Sequence, residues 1–250
     1  MTGRVVLLGE HIGYSASPAI QNAAFATYRL ALRYELADVP SEALPAAVAR
    51  LRDEAGANVT QPHKVAAMAL VDELATDAER AGALNTIVPD DGRLIGYNTD
   101  LPAVAAELAD LAPDARRAVV LGAGGASRAI VVALADAGAT ATVVTRAQWA
   151  ELPDALRDAD LLVNATPIGT ASETSPVPAD LLRPDLAVLD LVYRPSPTRL
   201  VREARNAGAR ANDGGGVLLR QAALSFTLWT GREAPMGPMR SALQAELAHG

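Results

Sequence analysis

One segment of the chain, residues 116–146, restricts the fold more than any other. It reads RRAVVLGAGGASRAIVVALADAGATATVVTR and predicts a strand, a glycine turn, a helix that stops at Gly138 and a second strand. This is a complete βαβ unit, in which a crossover helix joins two parallel strands and covers one face of their sheet. The segment therefore predicts an α/β fold.

Strand-like apolar runs and helix-like segments alternate along the rest of the chain as well. Before residue 101 we expect strands at 4–9, 33–39 and 56–60, helices at 17–30 and 41–54, and a hairpin at 86–98. Ser17 is expected at the N-cap of the first helix and Pro18 at its first helical position. These elements form a first domain, residues 1–100.

A second domain is expected at residues 101–215, where further strands at 159–167 and 186–193 follow the βαβ unit. The last two helices, near 216–229 and 236–248, have no obvious sheet partner in the sequence. Taken alone, the pattern allows them to fold back on either domain.

Composition excludes several classes of function. The net charge of -7 does not suit nucleic acid, which needs a concentrated basic face, and the chain has no cysteine for disulfides, thiolate catalysis or zinc. The histidines, His11, His63 and His249, show no metal-ligand spacing. No apolar run reaches the roughly 20 residues that span a bilayer, and the N-terminus has no signal pattern. We therefore expect a soluble cytoplasmic protein without a metal, nucleic-acid or membrane partner.

A glycine turn, GAGGAS at residues 122–127, lies between a predicted strand and a predicted helix. Gly122 permits the tight turn, and Gly124 lets the backbone approach a pyrophosphate at the helix N-terminus. Ser127 replaces the third glycine of the dinucleotide fingerprint. Glycine turns also join strands and helices for steric reasons alone, but the full βαβ context favours nucleotide binding. The cofactor-binding candidates of this turn are Gly122, Ala123, Gly124, Gly125 and Ala126.

The second strand of the βαβ unit ends in Thr145 and Arg146 rather than in an acidic residue. A carboxylate there binds the ribose hydroxyl of NAD, whereas a guanidinium pairs with the additional phosphate of NADP. The alternative is a solvated surface arginine. The position favours NADP(H) as the cofactor.

Several polar residues of the first domain stand at the ends of predicted elements. A helix predicted to start at Pro62 has Lys64 in its first turn, where the helix dipole disfavours the ammonium form and so suits a general base. The alternative is a lysine whose stem packs on a helix surface. Asp100 could cap the following helix, and Ser15 and Ser17 could be turn and cap residues or bind a substrate carboxylate.

Taken together, eight stretches resemble the motifs of the shikimate dehydrogenase family, in the family's order and over essentially the whole chain. The stretches are GYSASPAIQNAAF, GANVTQPHK, GALNT, GYNTD, GAGGASR, NATPIG, DLVYRPSPTRL and GGGVLLRQAALSFTLWTG. The resemblance implies NADP(H)-dependent interconversion of shikimate and 3-dehydroshikimate in aromatic amino acid biosynthesis. It also implies an N-terminal α/β substrate domain and a C-terminal Rossmann-like domain across a cleft, with residues 216–250 returning to the first domain.

The family motifs also imply roles for single residues. Lys64 and Asp100 match the catalytic pair, with lysine as the acid–base group. The residues that match substrate-binding positions are Ser15, Ser17, Asn58, Thr60, Asn85, Tyr193 and Gln221. On the cofactor side, Thr166 and Gly214 join Thr145, Arg146 and the glycine turn.

The chain departs from the family pattern at a few positions. Tyr14 and Leu101 replace a common histidine and a common glycine, and the segment after Arg146 is short on the adenine side, which leaves NAD open as a cofactor. His63 is expected to be a flanking residue rather than a catalyst. The alternatives are a quinate/shikimate or aminoshikimate dehydrogenase, which would differ near Tyr14, Gln21 and Tyr193, or a non-catalytic nucleotide-binding relative. A monomer or a homodimer is expected.

Overall fold

The structure is a computed structural model that describes residues 2–248. The chain forms two compact units: unit 1 comprises the chain up to Asp100 and from Leu218 onwards, and unit 2 spans Leu101–Val217. The sequence placed these limits after residues 100 and 215. Of the predicted final segment, residues 249 and 250, including His249, lie outside the described residues.

Unit 1 contains a six-stranded sheet with the strand order β2-β1-β3-β5-β6-β4. Its strands are β1 Thr2–Gly9, β2 Ala31–Asp38, β3 Gly56–Val59, β4 Glu73–Leu74, β5 Thr86–Asp90 and β6 Arg93–Tyr97. Its first helices are α1 Ser17–Thr27, α2 Leu44–Arg50 and α3 Thr76–Ala81. β1 pairs in parallel with β2 and β3, while the predicted hairpin, β5 and β6, is antiparallel. The core of the sheet lies around β1 and β3, whose apolar residues are buried on both faces.

Two long helices cross the limits of the units: α4 is Asp100–Leu111 and α8 is Gly215–Thr230. The part of α8 from Leu218 onwards belongs to unit 1. So does α9, Met236–Ala248. There the Phe226 ring lies 5.9 Å from the Phe25 ring of α1, and Trp229 Nε1 donates to the Ile87 carbonyl at 3.1 Å. The return of the last helices to the first domain, which the resemblance implied, is therefore confirmed.

Unit 2 contains a five-stranded sheet in which every pair is parallel, in the order β11-β10-β9-β7-β8. Its strands are β7 Arg117–Leu121, β8 Thr140–Val144, β9 Leu161–Asn164, β10 Ala187–Asp190 and β11 Ala211–Asn212. Its remaining helices are α5 Gly125–Asp136, α6 Leu152–Leu156 and α7 Arg199–Asn206. β8 and β9 flank β7 on opposite sides, so the chain reverses its winding direction there, as in doubly wound folds. The α/β fold predicted from the βαβ segment is confirmed.

The local structure differs from the sequence predictions at two of the polar positions. Ala16, not Ser17, is the N-cap of α1, and it makes no side-chain capping bond. Lys64 lies in a turn that precedes a short 3₁₀ helix, Ala66–Leu70, rather than in the first turn of an α-helix. The Lys64 carbonyl accepts a hydrogen bond from Leu84 N at 2.9 Å, so a tertiary contact takes the place of a helical one. The helix-dipole argument for Lys64 is therefore wrong.

Candidate active site

Lys64 and Asp100 form a half-buried ion pair in unit 1. The turn after β3 carries Lys64, and Asp100 is the first residue of α4. Lys64 Nζ lies 2.6 Å from Asp100 Oδ2, and the two side chains are only 17% and 12% exposed. Because an ammonium has three hydrogens, the ion pair leaves hydrogens of Lys64 for a further acceptor.

Asn85 holds the other oxygen of the Asp100 carboxylate. Its Nδ2 donates to Asp100 Oδ1 at 2.9 Å and to Thr99 Oγ1 at 2.9 Å. Its Oδ1 accepts from Thr99 N at 2.7 Å, which fixes the orientation of the amide. Asp100 is thus oriented from both sides, with Lys64 on one oxygen and Asn85 on the other.

A buried polar cluster lies behind this group. Asn58 Nδ2 donates towards Asn85 O, Thr86 Oγ1 and Ser225 Oγ at 3.0 to 3.1 Å, and Asn58 Oδ1 accepts from Tyr34 at 2.8 Å. Ser225, on α8, donates to the Gln221 carbonyl at 3.0 Å and lies 2.8 Å from Thr86 Oγ1. In a buried site each of these bonds matters, because an unpaired polar group there is costly.

The remaining predicted substrate residues of unit 1 follow its parallel strands. Ser15 and Ser17 come after β1, and Ser15 Oγ accepts from Ser17 N at 3.3 Å. Thr60 follows β3, and its N–H donates to Leu8 of β1 at 2.9 Å. Carboxyl ends of adjacent parallel strands lie at the same edge of a sheet, so these residues share that edge. Gln221 lies on α8, where its Nε2 donates to Leu218 O at 3.0 Å.

Three other positions from the sequence analysis have packing or flanking places. His63 is buried, and its Nε2 lies 2.7 Å from the Val39 carbonyl oxygen. Leu101 is buried. Tyr14 contacts Gln61, whose Nε2 donates to the Tyr14 hydroxyl at 3.4 Å. Within the described residues, His63 therefore supports the fold beside the site.

Sequence reasoning missed four members of the site: Tyr34, Thr86, Thr99 and Ser225. It also missed a simple signal for Lys64, which is the single lysine of the chain, so the other 21 of the 22 basic residues are arginines. Arginine cannot release a proton in a protein, whereas lysine can. A lone lysine among arginines therefore makes Lys64 the candidate for a proton-transfer group.

The glycine turn of unit 2 joins β7 to α5 and is the candidate pyrophosphate site. Gly122 has a φ of +98°, and a Cβ on it would lie 3.2 Å from the Ala165 carbonyl. Gly124 is the N-cap of α5, and a Cβ on it would meet nothing within 4 Å. The first turn of α5 contains no acidic residue. Ser127 Oγ donates to Gly122 O at 2.7 Å, so the serine in place of the third glycine holds the turn on the helix.

The other predicted cofactor residues follow the carboxyl ends of the same parallel sheet. Thr145 follows β8 and forms a capping box with Gln148, and the exposed Arg146 begins a 3₁₀ helix, Arg146–Glu151, without acidic residues in its first turn. Thr166 follows β9 and Gly214 follows β11, and Tyr193, which was predicted to bind substrate, follows β10. These residues thus share the sheet edge at which doubly wound folds bind nucleotides.

A glycine turn of the dinucleotide type in one unit and an oriented lysine–aspartate pair in the other define a nicotinamide-dependent oxidoreductase. Two family models match the chain: the shikimate dehydrogenase substrate binding domain at residues 7–87, and the shikimate 5'-dehydrogenase C-terminal domain at residues 214–244. The chain belongs to the shikimate dehydrogenase family, and the resemblance seen in its motifs is confirmed.

Individual relatives match over nearly the full length. The shikimate dehydrogenase (NADP(+)) of Methanopyrus kandleri is 42% identical, over 98% of this chain and 96% of the relative. Shikimate 5-dehydrogenase from Thermus thermophilus, solved in complex with NADP(H) and shikimate, is 38% identical with a TM-score of 0.89, over 99% of this chain and 100% of that one. Quinate dehydrogenase from Corynebacterium glutamicum, in complex with NAD, is 27% identical with a TM-score of 0.83, over 98% and 99%.

Residues 2–248 contain no group of three or more histidine, aspartate and glutamate side chains arranged to hold a metal ion. Within the same range, none of the helices has the length and apolarity to cross a membrane.

Proposed function

We propose that this protein is an NADP-dependent shikimate dehydrogenase, which reduces 3-dehydroshikimate to shikimate with NADPH and catalyses the reverse reaction with NADP⁺. The observation that carries the proposal is the group formed by Lys64, Asp100 and Asn85, in which a lone lysine is held on an oriented carboxylate. Membership of the family supplies the substrate, and places the reaction in aromatic amino acid biosynthesis.

Lys64 moves the proton of the reaction. Reduction converts a ketone into an alcohol, so the carbonyl carbon gains a hydride and its oxygen gains a proton. The Lys64 ammonium donates that proton, and in the reverse direction the neutral amine accepts it from the hydroxyl. Asp100 aims Nζ, and Asn85 keeps the carboxylate in place because it donates to the opposite oxygen.

The residues of unit 2 fit a dinucleotide. Bound NADP(H) supplies or accepts the hydride at its nicotinamide ring. The open space at Gly124 and the first-turn amides of α5, which face away from the helix, suit a pyrophosphate, and the cofactor set also includes Ala123, Gly125 and Ala126 of the same turn. Arg146 and Thr145 suit the 2′-phosphate of NADP, and Thr166 and Gly214 suit the nicotinamide half.

The substrate is held mainly by unit 1. In this proposal Ser15 and Ser17 bind the carboxylate, as hydroxyl donors beside the start of α1. The ring hydroxyls and the carboxylate are bound by the remaining set, which comprises Asn58, Thr60, Asn85, Tyr193 and Gln221. The amides of Asn58 and Asn85 each donate to neighbouring protein groups, so both are oriented before a ligand arrives.

Two substitutions of Lys64 separate the need for its positive charge from the need for its ability to release a proton. Lys64→Ala should lower kcat by about 10² to 10⁴, with a smaller effect on the substrate KM. Lys64→Arg keeps a cation beside Asp100 but cannot release a proton, so it should lose turnover to a similar extent. Turnover is followed by nicotinamide absorbance with shikimate and NADP⁺.

Two results would contradict this proposal. Full turnover in Lys64→Arg would show that the charge alone is needed and would remove the proton-transfer role. No turnover of wild-type protein with shikimate and either nicotinamide cofactor would refute the proposed function.

Arg146 tests the cofactor preference. Arg146→Ala should raise KM for NADP⁺ and leave KM for NAD⁺ nearly unchanged, because only NADP⁺ carries the phosphate that the guanidinium pairs with. Arg157→Ala is the matched control, since Arg157 is an exposed arginine of the same segment that pairs with Asp154. An equal effect of Arg146→Ala on both cofactors would contradict the phosphate role.

A second candidate is a quinate/shikimate dehydrogenase of the same family. It is favoured by the segment Arg146–Glu151, in which no basic residue follows Arg146, and by the likeness to the NAD complex of a quinate dehydrogenase. Turnover of quinate with NAD⁺ at or above that of shikimate with NADP⁺ would establish it instead.

The proposal extends to the cell. A cytoplasmic location is proposed because a biosynthetic reduction needs the cytoplasmic pool of NADPH. A monomer or a homodimer is proposed, and light scattering on the purified protein distinguishes both from larger assemblies.

A further inference from the structure

Asp190, at the carboxyl end of β10, is a fully buried carboxylate that the proton and hydride transfers do not use. Three neutral groups donate to it. Asn164 Nδ2 and Val192 N donate to Oδ1 at 2.8 and 3.1 Å, and Thr198 Oγ1 donates to Oδ2 at 2.7 Å. Burial of a carboxylate costs free energy unless the carboxylate is hydrogen-bonded. The three donors therefore show which parts of the chain Asp190 holds in place.

The first contact leads to the loop after β9. Asn164 Oδ1 accepts from both Thr166 N at 3.0 Å and Thr166 Oγ1 at 2.6 Å. Because Asn164 points its NH₂ group at Asp190, its carbonyl oxygen must face Thr166. An amide flip would lose both sets of contacts, so Asp190, together with the Ile168 carbonyl that accepts from Asn164 Nδ2 at 3.3 Å, sets the orientation that holds Thr166.

The other two contacts close the loop after β10. Val192 N lies near the start of this loop and Thr198 Oγ1 near its end, and both bind the same carboxylate. The loop between them carries Tyr193. The position of this loop relative to the loop after β11 is also fixed, because Gly214 N in that later loop donates to Val192 O at 3.0 Å.

We propose that Asp190 is a positioning residue for cofactor binding, which holds the Thr166 loop and the Tyr193 loop in a fixed arrangement at one edge of the unit 2 sheet. It acts through Asn164, Val192 and Thr198 and touches neither cofactor nor substrate. The inference rests on the proposed function, since Thr166, Tyr193 and Gly214 are the residues assigned there to the nicotinamide and substrate side.

The test compares variants of the full-length protein. Asp190→Ala should lower kcat/KM for NADP⁺ by about 10- to 100-fold, because a small displacement of positioning groups is enough for such a loss. Asp190→Asn keeps an oxygen that accepts from Asn164 and Val192, so it should retain most of the wild-type value. Rescue by the asparagine shows that the hydrogen bonds, rather than the negative charge of the side chain, are needed.

Asp160→Ala is the matched control. The Asp160 carboxylate also accepts two backbone bonds in unit 2, from Arg116 N and Arg117 N at 2.9 Å each, but at the amino ends of the strands. It should lower the melting temperature with little change in kcat/KM for NADP⁺. If Asp190→Ala does not fold, Thr198→Val against Thr198→Ser removes and restores the Thr198 bond to Asp190 together with the N-cap bond that Val201 N donates to Thr198.

Amide hydrogen exchange gives a readout that does not depend on activity. The amides of Thr166 and Val192 should exchange faster in Asp190→Ala than in wild type, with those of β7 unchanged. Unaltered kcat/KM for NADP⁺ in a folded Asp190→Ala variant, or an equal loss in Asp160→Ala, would overturn the inference. A wild type that does not oxidise shikimate would instead overturn the proposed function, and the exchange data would still report on Asp190.

Discussion

The pH dependence of stability offers a quantitative test of how Asp190 is buried. Burial raises the pKa of Asp190 from the ordinary 3.8 to about 6, the hydrogen bonds from Thr198, Val192 and Asn164 lower it in part, and the charge of Asp213 raises it further. Asp213 is the charged group that acts on it, since the three donors are neutral. The folded protein therefore holds a proton on Asp190 in a pH range where the unfolded chain has lost it.

The sign follows from proton linkage. Between about pH 4 and pH 6 the folded state binds more protons than the unfolded state, so the contribution of Asp190 to the free energy of unfolding falls as pH rises. The difference between a pKa of 3.8 and one of about 6 corresponds to about 3 kcal/mol, fully lost above about pH 7. Asp190→Asn does not titrate, so its free energy of unfolding relative to that of wild type should rise by up to this amount as pH rises from about 4 to about 7.5.

Urea unfolding at a series of pH values measures the difference between the two proteins, in which the titrations of all other groups cancel. Trp149 packs against the core of unit 2, and its fluorescence reports on the unit that contains Asp190. Asp160→Asn is a control of opposite sign, because hydrogen bonds from the backbone of Arg116 lower the pKa of Asp160. Its carboxylate stabilises the fold above the unfolded pKa of 3.8 and loses that contribution in acid.

The reasoning would be refuted by a difference between wild type and Asp190→Asn that stays constant from about pH 4 to about pH 7.5, or that grows in favour of wild type. Either result would mean that Asp190 is ionised in the folded protein throughout this range, and that its three hydrogen bonds outweigh its burial.

Two further substitutions test the structure of unit 1. Asn85→Ala should lower the free energy of unfolding by about 1 to 3 kcal/mol, because it leaves the buried Thr99 N–H without its acceptor. It should also lower kcat, because Asp100 loses a donor. Urea unfolding and initial rates measure the two effects, and an unchanged kcat would separate Asn85 from the catalytic pair. Gly56→Ala should destabilise unit 1 by about 1 to 3 kcal/mol, because its Cβ would lie 2.4 Å from the Trp229 ring. An unchanged melting temperature in Gly56→Ala would contradict the close packing of α8 on β3.

Much of the fold could be predicted from the sequence because its signals are local. The βαβ segment combines apolar runs of strand length with a glycine turn, and Gly122 adopts the positive φ that such a turn requires. The hairpin of β5 and β6 was predicted from Asp91 and Gly92 between two extended runs. The last two helices carried no such signal, because the elements they pack on are far away in sequence.

The residues around Lys64 show where local reasoning fails. The sequence PHKVAAM has the composition of a helix start, yet the Lys64 carbonyl bonds to Leu84 N and the His63 ring bonds to the Val39 carbonyl. The Lys64 carbonyl, which would accept from within an α-helix, accepts instead from a tertiary partner, and the segment forms a turn and a 3₁₀ helix. Lys64 stays the predicted acid–base residue, but the helix-dipole reason for it is wrong.

The sequence by itself therefore determined the alternation of strands and helices, the glycine turn and the presence of one lysine among many arginines. Only the tertiary structure decided which side chains lie within hydrogen-bonding distance of one another. Lys64 and Asp100 lie 36 residues apart, and Ser225 lies 139 residues from Thr86. Hydrogen bonds of this kind form only when donor and acceptor are placed to within about a few tenths of an ångström. The elements that carry them meet only after the sheet and α8 have packed, and no local pattern encodes that placement.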